Sequence, residues 1–474
     1  MKSVKLNAVL NTIKQLCQIF FPIITIPYVT RTLGTVNYGK INFSNSIVSY
    51  FMLVASLGIS SYAIREGALF RNSPQKFQQF SSEIFSINIL STIVSYLLLF
   101  ITLLVPQVGR VKEIILIQSI SIILTTLGAD WVNSVYEDYT YITVRYIFFQ
   151  VISVLLLFIF VHAKSDYIQY AIILVTASAG GNILNIFYIR RYTRLKFILR
   201  FNWLKHIIPI LILFGNQLAI TLYVNSDITM LGFLSSEKMV GLYSLSSNIY
   251  TAFQQMLNAI IIVSVPRLSF YLGNNDTINF KKLGEKIYRA LLVFIVPVVV
   301  GLFIYAKPII RLAGGKEYES GDASLCILAI SLFFSLIAGF YTNCIMLPNK
   351  MEKKILLITS IAAIINVLFN FWIIPIFGAN GAALTTVVSE IFVAFCSYRA
   401  SNNFFNKISF NKDTISPFVG GVTVAIICIF FKGILDNNYV ALALSLIVSP
   451  IIYIFVLNMM GNSVVRLELL RLKK

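Results

Sequence analysis

Charge is what this sequence has least of. Only 12% of its 474 residues are Asp, Glu, Lys or Arg, about half the share of an ordinary soluble domain. Histidine occurs twice, as His162 and His206, each near the end of an apolar segment, where it reads as a polar anchor at an interface. A membrane polymerase or lipid-linked glycosyltransferase needs a catalytic constellation on a sizeable outer loop, and the pattern offers none. The five cysteines, Cys17, Cys326, Cys344, Cys396 and Cys428, all sit in apolar segments without metal-ligand spacing, so they read as small buried hydrophobes. The first apolar run continues too far for a cleavable signal and has no small-residue cleavage site, so none is expected.

What is there is hydrophobic. Such residues make up 58% of the chain, with a mean hydropathy of +0.82. They fall in blocks of roughly 20, the length that crosses about 30 Å of hydrocarbon. The expected fold is an all-α polytopic membrane protein with about 14 transmembrane helices. Candidate spans lie at 7–30, 41–64, 82–105, 114–135, 142–162, 167–189, 207–232, 240–265, 287–306, 322–346, 355–377, 379–398, 415–432 and 439–459. The net charge of +19 does not argue for nucleic acid, because in such a chain the placement of cations reports topology. With the N-terminus cytoplasmic, inner segments hold 27 Lys and Arg and outer loops 10; both termini are then expected inside. The cluster Arg190, Arg191, Arg194, Lys196, Arg200 and Lys205 places the middle of the chain inside, or serves as a lipid- or partner-binding patch.

A faint repeat runs through the chain. A shift of 202 residues puts Gly39 on Gly241, Ser44 on Ser246, Ile47 on Ile249, Phe51 on Phe253 and Arg65 on Arg267. The second and eighth spans are then equivalent and run the same way, as in transporters built from two six-helix bundles.

Several spans carry polar stripes at helical spacing. Asn7, Asn11, Lys14 and Gln18 share one face of the first span; Asn42, Asn45, Ser49 and Ser56 recur in the second. The seventh has Asn216, Tyr223 and Asp227, and the eighth Ser244, Asn248, Thr251, Gln255 and Asn258. Facing lipid they would lack partners, so they face other helices as glue or a hydrated cavity. Lys14 lies inside the first span, while Arg31, Arg65, Arg145 and Arg267 lie near span ends, where a long cation can also snorkel. The buried acids are Asp130, Asp227 and Glu390, each able to pair with a cation or to take a coupling H+ or Na+. Pro22 and Pro27 are expected to bend the first span.

Longer patterns carry a resemblance. "FPIITIPYVTRTLGTVNYGKINFSNSIVSYFMLVASLGISSYAIRE", "GADWVNSVYEDYTYITVR", "LYVNSDITMLGFLSSEKMVGLYSLSSNIY", "VPRLS" and "MLPNKMEKKILLITSIAAIINVLFNFWIIPIFGANGAALTTVVSE" resemble the Wzx-type polysaccharide flippases of the multidrug/oligosaccharidyl-lipid/polysaccharide exporter superfamily. The resemblance spans nearly the whole chain and includes Asn366, Asn370 and Pro375. It implies two six-helix lobes about a central cavity, related by a pseudo-two-fold along the membrane normal, with two extra C-terminal helices. The expected division is residues 1–195, 196–400 and 401–474. It also implies a substrate, an undecaprenyl-diphosphate-linked oligosaccharide repeat unit for O-antigen or capsule, moved across the bacterial inner membrane by alternating access. Lys14, Arg31, Arg65 and Arg267 would then attract the diphosphate. Asn7, Asn11, Gln18, Asn45, Tyr50, Asn216, Tyr223, Asn248, Tyr250 and Gln255 would meet the sugars. Arg31, Asp130, Asp227 and Glu390 match positions of the family pattern, the three acids as ion-coupling candidates. Membrane lipids, a polysaccharide polymerase and a chain-length regulator are the implied partners; no enzyme activity, cofactor, metal or nucleic acid is expected. A multidrug exporter of the same superfamily, which would want an acid-lined cavity, a lipid II flippase, and a membrane polysaccharide polymerase or glycosyltransferase are the alternatives.

Overall fold

A computed structural model describes residues 4–405 and 411–466, with side chains for these except residues 4–9, 11, 19 and 216. The side chains of Asn7, Asn11 and Asn216 therefore lie outside the described residues. The described chain is built of helices: α1 Val4–Ser56, α2 Ile59–Phe70, α3 Pro74–Thr102, α4 Pro106–Gly109, α5 Lys112–Gly128, α6 Trp131–Val135, α7 Tyr139–Phe160 and α8 Tyr167–Tyr188. There follow α9 Trp203–Leu234, α10 Glu237–Gly273, α11 Thr277–Ile304, α12 Ala306–Gly314, α13 Asp322–Gly339, a π-helical turn Phe340–Met346, α14 Glu352–Ser401, α15 Lys412–Ile434 and α16 Asn438–Met459.

Eleven helical stretches among the described residues are long and apolar enough to cross a membrane. Two of them hold two expected spans each, divided by a glycine. Gly34 in α1 (φ 72°) and Gly378 in α14 (φ 54°) leave the helical region, in a half of φ space that costs residues with a Cβ and not glycine. The stretch at 114–135 is carried by α5 and α6 with a break between them, so the described helices are compatible with the fourteen expected spans. The first helix also breaks at a residue the sequence reading did not single out. Pro22 and Pro27 sit inside α1, yet the residue with non-helical dihedrals is Gly34. A proline in a membrane helix loses one hydrogen bond and can be absorbed, whereas a positive φ breaks the helix.

The chain clusters into two compact units, Met1–Gly241 and Leu242–Lys474. In both, apolar side chains such as Leu97, Phe100, Ile426 and Phe455 point outward, while small hydroxyls and amides are turned in. That inversion suits a hydrocarbon solvent, where small residues let helices approach and each polar group needs an internal partner. In the first unit Asn88 Nδ2 and Ser91 Oγ of α3 donate to Ala55 O at 2.8 and 2.6 Å, and Ser95 Oγ to Phe51 O at 2.6 Å. The repeat-related glycines also meet here. A Cβ on Gly39 would fall 1.7 Å from Glu237 O, and one on Gly241 2.0 Å from Thr35 O. Two backbones thus cross with no room for a side chain.

The second unit is pinned by hydroxyls. Tyr305, 1% exposed, lies within hydrogen-bond distance of Ser445 Oγ (2.7 Å), Cys428 O (3.0 Å) and Ala441 O (3.2 Å), tying the end of α11 to α15 and α16. Tyr453 Oη donates to Val293 O at 2.9 Å. Asp413, at the start of α15, accepts from Arg289 Nη1 at 2.7 Å and from Ser463 N and Oγ at 2.6 and 2.8 Å.

Candidate functional site

A dense polar cluster among the described residues lies in the first unit, where α5 stops and restarts. Ala129 takes φ 43°, ending α5 and leaving the carbonyl of Gly128 without a helical continuation. Asn185 of α8 answers it: its Nδ2 donates to Gly128 O at 2.6 Å and reaches Asp130 Oδ1 at 3.0 Å. Asn133 Nδ2 in turn donates to Asn185 Oδ1 at 2.6 Å. Into this nest of acceptors comes Arg145 of α7, whose Nη2 pairs with Asp130 Oδ1. Arg145 is 7% exposed, and its guanidinium lies 5.3 Å from the centre of the Tyr141 ring. A Cβ on Gly181 would stand 3.1 Å from Arg145 Nε, so α8 presents its smallest residue where the guanidinium passes. A buried cation is tolerated only when it is paired and its face is covered, and Asp130 and Tyr141 do both. One donor is left over: Arg145 Nη1 is buried with no hydrogen-bond acceptor among the described residues.

Lys14 joins from the next helix. Its Nζ stands 5.6 Å from the centre of the Tyr146 ring, one residue along α7 from Arg145, and Thr143 Oγ1 donates to Leu10 O at 3.3 Å across the same α1–α7 contact. Lys14 and Arg145 thus meet neighbouring residues of α7, the lysine over the Tyr146 ring and the arginine against Asp130.

A second cluster joins α1 to α9. Thr229 Oγ1 donates to Ser46 Oγ at 2.9 Å and approaches Tyr50 Oη at 3.3 Å. Asp227, two residues earlier, is 6% exposed, and Tyr223 is half-buried one turn before it. Gln18, Arg31 and Asn45 of α1 are exposed. Amides and a guanidinium on a spanning helix do not suit hydrocarbon, so these positions suit water or a polar partner. Arg65 stands apart, its side chain 63% exposed and 3.0 Å from Glu66 of its own helix.

In the second unit Tyr250 is buried, with Gln254 Nε2 donating to its Oη at 3.1 Å and also to Ser335 Oγ. Asn248 is half-buried, Gln255 exposed, and Arg267 exposed with its guanidinium 5.8 Å from the Tyr271 ring centre. Glu390 is buried in α14. Nearby, Asn370 Nδ2 donates to Asn366 Oδ1 at 3.0 Å and accepts from Thr385 Oγ1 at 2.5 Å, with all three side chains buried. This asparagine pair clamps the two arms of α14 about Gly378.

Two groups escaped the sequence reading. Arg145 looked like a residue that could snorkel; the break at Ala129, invisible in hydropathy, brings Asp130 to it. His206 looked like an interfacial anchor, yet it is 2% exposed, with Nε2 2.9 Å from Glu83 Oε2 and Nδ1 2.8 Å from Tyr62 Oη. The signal for both was an acid and a base that each sit in apolar surroundings and that only a tertiary contact can satisfy.

A family model described as "Polysaccharide biosynthesis protein" matches residues 4–271. The chain belongs to this family. The resemblance carried by its motifs is thereby borne out, and it is a multi-pass membrane protein. A putative O-antigen transporter of Escherichia coli (strain K12) is 25% identical over 403 residues, covering 82% of this chain and 95% of that protein. The capsular polysaccharide biosynthesis protein CapF of Staphylococcus aureus is 24% identical over 403 residues, covering 82% and 96%. Among solved structures, the lipid II flippase MurJ in an inward closed conformation superposes with a TM-score of 0.73 at 16% identity, over 95% of this chain and 97% of that one. An inward-facing multidrug resistance MATE family transporter of the MOP superfamily gives 0.56 at 13% identity, over 80% and 96%. The fold is the one these transporters share.

Proposed function

We propose that this protein is a flippase for undecaprenyl-diphosphate-linked oligosaccharide repeat units, serving surface polysaccharide synthesis in the bacterial cytoplasmic membrane. Family membership and the names of the relatives support the substrate class. The observation that carries the chemistry is the buried Arg145, whose Nη1 has no acceptor among the described residues, with Lys14 over the adjoining Tyr146 ring. A diphosphate offers oxygens that such a donor can bind through charge-assisted hydrogen bonds. Arg31, Arg65 and Arg267 are the further cations assigned to the headgroup as it enters or leaves. Tyr50, Tyr223, Tyr250 and the amides Gln18, Asn45, Asn248 and Gln255 are assigned to the sugars, together with Asn7, Asn11 and Asn216. The polyprenyl tail stays in lipid, and transport proceeds by alternating exposure of the polar faces to the two sides of the membrane. Asp130, Asp227 and Glu390 are the candidates for H+ or Na+ coupling. Cytoplasmic termini, the division at 195 and 400, and cooperation with a polymerase and a chain-length regulator belong to the same proposal.

The test is complementation of a strain lacking this protein. Lys14→Ala and Arg31→Ala are expected to abolish surface polysaccharide at wild-type levels of membrane protein. Wild-type polysaccharide in both variants refutes the cationic site. A deletion strain that keeps its polysaccharide and becomes drug-sensitive refutes the function.

A further inference from the structure

The connector between α8 and α9 is rich in basic residues, Arg190, Arg191, Arg194, Lys196 and Arg200, and it is not loose. Its backbone is strapped along α3: Lys196 N donates to Ser82 Oγ at 3.2 Å and Ile198 N to Ser86 Oγ at 2.8 Å. Where it leaves α8, Arg190 and Arg194 line a groove of about 450 Å³ whose other walls include Phe85 of α3, Leu127 of α5 and Ile186 of α8. We propose that this groove binds an anionic bilayer phospholipid, its phosphate between the two guanidiniums and its first acyl carbons against the apolar walls.

Three observations carry this. The first is charge. Arg71, Arg145, Arg289 and Arg311 each pair with a carboxylate. Arg190 and Arg194 pair with none among the described residues, and Arg190 only covers the Phe187 ring at 5.3 Å. Both forks are available to an external anion. The second is depth. Phe187, Phe197 and Leu199 are 62%, 48% and 57% exposed beside these arginines, the signature of the level where hydrocarbon meets headgroups. The third is what the groove lacks. Its one hydroxyl, Thr193 Oγ1, is engaged by Ser81 Oγ at 2.9 Å, and the rest of the lining offers no amide or phenol for sugar hydroxyls. It therefore fits a compact phosphate headgroup and not an oligosaccharide. The groove shares no lining residue with the Asp130–Arg145 cluster, and the inference does not rest on the proposed transport function.

The full-length protein, purified in detergent, is titrated with phosphatidylglycerol or phosphatidylcholine, and bound lipid is read by native mass spectrometry. Two cations near a headgroup are expected to be worth roughly thirty-fold in affinity. R190Q/R194Q should weaken phosphatidylglycerol binding by that factor, while K353Q/K354Q, which removes equal charge elsewhere, should not. R190K/R194K, which keeps the charge, should retain most of the binding and guards against a folding defect. Equal retention of phosphatidylcholine and phosphatidylglycerol by the wild type refutes the proposal. So does an equal loss in K353Q/K354Q, or a loss in a monodisperse R190K/R194K as deep as in the glutamine variant. Displacement of phosphatidylglycerol by equimolar undecaprenyl phosphate would reassign the groove to the carrier lipid and refute the phospholipid assignment.

Discussion

Asp130 and Arg145 form an asymmetric pair, and the asymmetry has a measurable consequence. The arginine side chain is 6% exposed and the aspartate side chain 46%. Removing one partner of a fully buried pair costs about 3–5 kcal/mol, because the other charge is stranded. Asp130→Asn strands the buried partner, but water reaches the carboxylate side, so the cost falls to about 2 kcal/mol. Arg145→Met strands the exposed partner, which rehydrates and keeps the Asn185 Nδ2 bond at 3.0 Å, so about 1 kcal/mol is expected. The double variant strands nothing and should resemble Arg145→Met, giving a coupling energy of about 2 kcal/mol. Trp131 provides the reporter: it adjoins Asp130 and is 4% exposed, whereas Trp372 is 71% exposed. In a W203F/W372F background, Trp131 fluorescence followed through denaturant unfolding in mixed micelles reads this region alone. If Asp130→Asn costs no more than Arg145→Met, or if the two effects simply add, the pair does not carry the buried charge and the reasoning fails.

Gly39→Ala should abolish the yield of monodisperse protein, because the new Cβ meets the Glu237 carbonyl at 1.7 Å and backbone cannot step aside; Gly301→Ala, with nothing within 4 Å, should be recovered normally by size-exclusion chromatography. Tyr305→Phe removes the hydroxyl that joins α11 to α15 and α16. Membrane hydrogen bonds average near 0.6 kcal/mol with a maximum of about 1.7, so about 1 kcal/mol is expected for this one, read as a roughly fivefold faster labelling of the buried thiol of Cys428. Asp276 caps α11, accepting from Asn279 N at 3.0 Å and Asn279 Nδ2 at 2.6 Å, and those bonds, the backbone one foremost, hold its carboxyl below the usual range. A depressed pKa contributes stability that is present above the ordinary carboxylate pKa and lost as pH falls through the depressed one. Fraying of residues 277–280 in hydrogen exchange should therefore stay flat from neutral pH down to about 4 and rise only below it, a rise that Asp276→Asn should remove.

Most of the helical framework was legible because the bilayer makes span length a strong signal. Two of the glycines where the helices break, Gly34 and Gly378, fall between expected spans, whereas the positive-φ breaks at Leu57–Gly58 and Ala129 fall inside them. What hydropathy could not reveal was which polar groups find one another. Asn366 and Asn370 sit four apart on one helix face, and their bond could be read from spacing alone. Asp130 and Arg145 are separated by a helix break, and Glu83 and His206 by more than a hundred residues, so neither pairing has a local signature. The consequence bears on where to look for function. Lys14 is conspicuous in the sequence because it sits alone in an apolar run, but the structure adds a second cation, Arg145, on the facing helix, buried against Asp130. A buried guanidinium with a nitrogen that no described acceptor engages is stable only if water or an anion completes it. Arg145, with its uncommitted nitrogen, is therefore the residue whose substitution should separate binding of an anionic headgroup from the integrity of the fold.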